Sequence, residues 1–134
     1  MASEAKRLEF SVSTDGHGRF AEAGHSLDVA DALSAEGLLL ASLLRCSLTS
    51  LAHFARREGV EVETTSAEAS CVVTRREDDR RYAVVEVTAT LDVELAPEPD
   101  DVRALLASAE WACFVGASLT AKPSYRWRVN GADV

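Results

Sequence analysis

Cys46 is the residue from which chemistry could start. The positions at i−4, i+3, i+4 and i+7 from it are Ser42, Thr49, Ser50 and His53, so on a helix they share its face. The segment around them is rich in leucine, which leaves one narrow polar line with a thiol in it. A thiol reacts through its thiolate, and the thiolate forms at neutral pH only near a cation or dipole. Arg45 precedes it in sequence but sits about 100° round a helix, so its guanidinium need not point at the sulfur. The competing reading is plain packing, because a free Cys usually behaves as a small buried hydrophobe. Cys113 falls on the stripe Val102, Leu105, Leu106, Ala109, Cys113 of a later helix. Two inward-facing thiols allow a redox pair, although sequence spacing gives no distance between them. Cys71 shares a strand face with Ala69 and Val73 and reads as core.

Other chemistries find little support. GxSxG, P-loop and GxGxxG patterns are absent, and His17, His25 and His53 are not at metal-ligand spacing. The run Glu77-Asp78-Asp79 lacks the alternation and central Gly of a calcium loop. No metal or cofactor is expected. Lys and Arg total 14 against 22 Asp and Glu, a formal charge of −8. That balance opposes binding to nucleic acid or to anionic lipid, both of which need a basic face. Three cysteines without CxxC spacing suit a reducing cytoplasm better than a disulfide framework. Met1–Phe10 lacks the apolar core of a secretory signal, and Leu38–Leu51 is interrupted by Ser42, Arg45, Ser47, Thr49 and Ser50. Neither a leader nor a membrane span is expected.

The elements that must position these residues can be read in order along 134 residues, enough for a single domain over 1–134. Short strands are expected at Glu9–Thr14, Arg19–Ala23 and Ser26–Val29, the first two joined by the turn Asp15-Gly16-His17-Gly18. Ser34 is placed to cap a helix running to about Glu58, with Gly59 ending it and Arg56-Arg57 in its last turn. Val60–Arg76 reads as a strand and Arg75–Arg81 as a charged hairpin turn. From Ala83 to Leu95, odd-numbered apolar residues alternate with more polar ones, the mark of a long strand with one dry face. Pro97, Pro99, Asp100 and Asp101 end it and start the second helix. A final strand spans Ser124–Val129. The order is βββ-α-ββ-α-β, an α+β fold with antiparallel sheets packed on two main helices.

The first helix carries an unusual demand. Leu38, Leu39, Leu40, Leu43, Leu44, Leu48, Leu51 and Phe54 wrap most of its circumference, and a helix apolar all round must be covered all round. One small two-layer domain covers about half, so a partner subunit is expected to cover the rest.

The segment Ser34-Ala35-Glu36-Gly37-Leu38-Leu39-Leu40-Ala41-Ser42-Leu43-Leu44-Arg45-Cys46 resembles the helix-opening segment of the OsmC/Ohr family. This is the family of osmotically induced protein C and organic hydroperoxide resistance protein. There the peroxidatic Cys follows a Glu by ten residues, the spacing of Glu36 and Cys46 here. Cys113 before Phe114-Val115-Gly116, and the ending Tyr125-Arg126-Trp127-Arg128-Val129-Asn130-Gly131, look like the family's second cysteine and last strand. The resemblance implies an intertwined homodimer that reduces organic hydroperoxides, or hydrogen peroxide, without metal or flavin. Cys46 would be peroxidatic and Cys113 resolving, in a sulfenic acid and disulfide cycle closed by a dithiol reductant, lipoyl-linked in the organic hydroperoxide branch. Arg19 would favour the thiolate, held by Glu36, with Arg45 an alternative cation; the choice between them stays open. The chain departs from the family pattern in having Ser34-Ala35 for Asn-Pro, and Phe114 for the Pro after the second cysteine. The alternative on the same fold is a non-enzymatic dimer that binds a small ligand, its cysteines structural.

Overall fold

The alternating run after the charged turn forms one long strand, β4 (Tyr82–Ala96), in a computed structural model that describes residues 7–16, 20–24 and 34–134. Its hairpin partner is β3 (Glu61–Arg75). The turn between them is closed by the Arg76 N–H donating to the Arg81 carbonyl at 2.8 Å, and by Asp79 accepting from the Arg81 N–H at 3.0 Å. On the far side of β3 lie β1 (Arg7–Thr14) and then β2 (Phe20–Gly24), each antiparallel to its neighbour. On the far side of β4 lies β5 (Ser124–Val129), followed by the two-residue β6 (Ala132–Asp133). Among the described residues this makes one six-stranded sheet in the order β2-β1-β3-β4-β5-β6. The helices are α1 (Ala35–Arg57), α2 (Val102–Ala112) and the short α3 (Phe114–Ser118).

This is the α+β architecture the sequence leads one to expect. The expected strand Ser26–Val29 lies outside the described residues. Two features of the sheet are new. Pairing is antiparallel everywhere except between β4 and β5, which run parallel; a parallel neighbour cannot follow from a tight turn, and α2 with α3 supplies the crossover. The second is a bulge. The register steps from Val72 opposite Glu86 to Val73 opposite Val84, leaving Val85 as the extra residue. Val87, Ala89, Leu91, Val93 and Leu95 are buried as the alternation requires, but beyond the bulge Val84 packs on the core and Val85 is 46% exposed.

Helix α1 lies across the sheet against β1 and β3, with α2 beside it. It starts after Ser34, which is itself extended and caps the first turn: the Ser34 hydroxyl accepts from the Gly37 N–H at 2.9 Å. Glu22, reaching over from β2, takes both the Ser34 N–H at 2.9 Å and the Ser34 hydroxyl. It ends at Gly59, whose φ of +71° suits glycine best. Leu40, Leu43, Leu44 and Leu51 are fully buried, while Leu39, Leu48 and Phe54 are half-buried and Leu38 is 59% exposed. Within the single chain the sheet takes one flank of α1 and α2 another, which leaves Leu38 uncovered and Leu39, Leu48 and Phe54 half-covered. Its outward line is Ser42, Arg45, Thr49 and His53, all exposed. By length and composition α1 could cross a membrane, despite its polar interruptions. Its four buried leucines instead make it the helix about which the core is built.

Candidate active site

Cys46 sits at mid-length in α1, half-buried, on the side that looks toward the junction of α2 and α3. The junction exists because Cys113 leaves the helical conformation, with φ −69° and ψ 98°, ending α2 and preceding α3. Cys113 is thus turned inward and is 0% exposed. The two thiols are free, and each acts on the ionisation of the other. Residues far apart in sequence thereby meet between two helices.

The polar line expected on α1 faces one groove. Ser42, Arg45, Cys46, Thr49, Ser50, His53 and Phe54 line it from α1, with Ala112, Phe114 and Val115 opposite, around a volume of about 600 Å³. A larger hollow of about 870 Å³ lies on the outer face of the sheet among Asp15, Glu68, Asp92, Arg126 and Arg128, but no cysteine lines it. The thiol expected to react lines the smaller groove.

The electrostatics of the two sulfurs differ. Burial pushes the Cys46 thiol up; the Val115 N–H opposes this, and contact with Cys113 adds to it. Burial also works against ionisation of Cys113, yet the Ser47 hydroxyl, the Gly116 N–H, the Cys46 thiol and the Tyr125 hydroxyl together outweigh it. The result is a Cys113 thiol held below its ordinary value. The pair loses its first proton as a unit, with the charge resting mainly on Cys113. Burial keeps the Tyr125 phenol protonated far above its usual range, so it serves as a donor.

Other expected site residues are placed as follows. Arg45 is exposed at the rim of the groove. Arg19, like His17 and His25, lies outside the described residues. Glu36 stands in the first turn of α1, and its charge, like that of Glu22, acts on Cys71. Ten residues of helix rise about 15 Å, so Glu36 does not reach Cys46. Cys71 is 2% exposed in the core, as its strand face suggests. Among the described residues no group of three or more His, Cys, Asp and Glu side chains converges as metal ligands would. Sequence reasoning missed Ser47 and Tyr125. Ser47 follows Cys46 directly and looked like a polar interruption in an apolar run; Tyr125 was visible only as one apolar member of the last strand.

A family model described as OsmC-like protein matches residues 28–128. Among solved structures, an OsmC-like protein of unknown function from Vibrio cholerae is 12% identical, with a TM-score of 0.59 over 94% of this chain and 99% of that one. An OsmC-like hydroperoxide resistance protein from Jannaschia sp. is 18% identical, with a TM-score of 0.52 over 96% and 97%. The organic hydroperoxide resistance protein OsmC of Legionella pneumophila is 15% identical, with a TM-score of 0.52 over 80% and 73%. At such identities the likeness is one of fold. No curated protein matches the chain.

Proposed function

The chain belongs to the OsmC-like protein family, and we propose that it is a thiol peroxidase that reduces organic hydroperoxides through Cys46 and Cys113. The observation that carries this reading is a pair of free thiols that act on each other's ionisation, one sulfur open to a groove and the other sealed beneath it. Two of its structural relatives bear the name of hydroperoxide resistance, which accords with that chemistry.

The cycle balances on these two sulfurs. The Cys46 thiolate attacks the outer peroxide oxygen; the O–O bond breaks, and the alkoxide takes a proton and leaves as alcohol. Cys46 is then a sulfenic acid. The Cys113 thiolate attacks its sulfur, the S–O bond breaks, and hydroxide leaves as water once protonated. A dithiol reductant reopens the disulfide by exchange and is itself oxidised. In this reading Arg45, at the groove rim, steadies charge on the leaving oxygen. Arg19 is the other candidate for that part, and any contribution of Glu36 runs through it. The apolar side chains of Phe54, Ala112, Phe114 and Val115 suit an alkyl peroxide better than hydrogen peroxide.

The reading includes a homodimer in a reducing cytoplasm. Trp111 is 83% exposed and Phe114 72% exposed, on either side of Cys113, and Leu38 adds a third uncovered apolar residue on α1. A second copy of the chain would cover such a rim. The groove volume also falls in the range of small-ligand sites, which keeps a binding role on the same fold in competition. Turnover of tert-butyl hydroperoxide with a dithiol separates the two. Cys46→Ser should abolish it in a protein whose sedimentation mass is twice that of the chain. Turnover that survives the substitution, or a monomeric mass, refutes the corresponding part.

A further inference from the structure

Ser47 is a polar residue at a fully buried helix position, 0% exposed, where the neighbouring inward positions are Leu43, Leu44 and Leu51. A hydroxyl is kept in such a place only when it is hydrogen-bonded. Its oxygen lies 3.4 Å from the Cys113 sulfur and 3.0 Å from the Tyr125 hydroxyl. A serine has one proton to give. The bond to sulfur uses it, so the Tyr125 O–H must donate to the Ser47 lone pair. The order is Tyr125 to Ser47 to Cys113, a two-hydroxyl chain aimed at one sulfur. Its far end is fixed by the sheet: Tyr125 stacks on Trp127 with centroids 6.0 Å apart and planes 8° apart. The Trp127 indole N–H in turn donates to Glu110 of α2 at 3.3 Å.

This chain of donors reaches the sealed sulfur and not the exposed one. Cys113 is 0% exposed, so the hydroxyls stand where bulk solvent would otherwise stabilise a negative charge. We propose, resting on the two-thiol peroxidase reading above, that Ser47 and Tyr125 are positioning residues that hold Cys113 as the sulfur that attacks its oxidised neighbour Cys46. The step they serve forms the S–S bond from the Cys113 electron pair, breaks the S–O bond of the Cys46 sulfenic acid, and releases hydroxide that is protonated to water. Hydroperoxide is the only oxidant it needs, and it has acted one step earlier. Neither hydroxyl touches the peroxide. Their work is to keep one sulfur charged and aimed.

A merely structural role for the pair would lower stability and leave the sulfur's titration alone, so titration is the test. In the full chain carrying Cys46→Ala, the Cys113 thiolate is followed by its ultraviolet absorbance against pH, with and without Ser47→Ala. Losing one hydrogen bond to a charged group should raise the midpoint by about one to two pH units. Tyr125→Phe should raise it in the same direction by less, which covers the case in which Ser47→Ala fails to fold. With all cysteines present, one equivalent of tert-butyl hydroperoxide should leave the sulfenic acid of Ser47→Ala open to dimedone for at least tenfold longer than that of the parent protein. Midpoints unmoved in both variants overturn the proposal. Absence of any Cys46 oxidation in the parent protein would instead sink the peroxidase reading beneath it, and the titration, which needs no peroxide, tells the two failures apart.

Discussion

Gly37→Ala tests how α1, the helix that carries Cys46, is started. A glycine inside a helix costs about 1 kcal/mol relative to alanine, so propensity alone makes this a stabilising change. The surroundings argue otherwise. Gly37 is buried, and a Cβ there would lie 2.6 Å from Cδ and 3.0 Å from Oε2 of Glu22. The carboxylate would have to leave, giving up the Ser34 N–H and the Ser34 hydroxyl. Hydrogen bonds to a charged group contribute about 1.5–3 kcal/mol each, and the low end suits the half-buried Glu22. A loss of about 3 against a gain of about 1 leaves a net destabilisation of about 2 kcal/mol, or roughly 6–10 °C in Tm for a domain of this size. Thermal melts of Gly37→Ala, Glu22→Ala and the double variant form the assay. With Glu22 removed the clash is gone, so the same Gly37→Ala change should now stabilise by up to about 1 kcal/mol. A Gly37→Ala protein as stable as the parent, with Glu22 intact, would refute the reasoning.

Asn130 sits at φ +51° between β5 and β6, and its side chain pairs with both the N–H and the carbonyl of Leu95, at 2.9 and 3.2 Å. Asn130→Ala loses both bonds and strains the backbone, for about 2–3 kcal/mol by denaturant titration, whereas Asn130→Gly should recover about 1 of it; equal losses would count against this account. Burial, with Glu36 and Glu22 adding to it, raises the Cys71 thiol from 9.0 to about 11. Between those values the folded chain holds a proton that the unfolded chain has released, so this contribution to stability is full below about pH 9 and falls as pH rises toward 11. Cys71→Ala should flatten that part of the Tm-against-pH curve, and a slope parallel to the parent's would contradict the assignment.

Sequence legibility followed from how local each feature is. The Ser34 cap, the Gly59 stop and the β5 limits are set by residues within a turn of one another, and each stands where the residue types place it. The bulge at Val85 was hidden because Val84 and Val85 are both apolar, so no step in the pattern marks the change of face. The break at Cys113 was hidden for a similar reason: Ala112, Phe114 and Val115 are all compatible with a continuous helix, and tertiary packing of α3 decides the matter. Counting leucines around a circle could not tell which of them the sheet and α2 cover and which, like Leu38, stay exposed. At the site, helical spacing was sufficient to align Ser42, Cys46, Thr49, Ser50 and His53 on one groove. It could not bring Cys113 to Cys46, since that meeting depends on how α2 lies against α1, nor reveal that Ser47, about 100° round the helix from Cys46, meets the second sulfur.

The most direct measurement treats the reduced protein with one equivalent of tert-butyl hydroperoxide and maps its cysteines by mass spectrometry. A peptide pair joined through Cys46 and Cys113 of the same chain, with Cys71 still a free thiol, is the predicted product. Cys46 driven to sulfinic acid while Cys113 stays reduced, or all three thiols left untouched, would contradict the two-sulfur cycle.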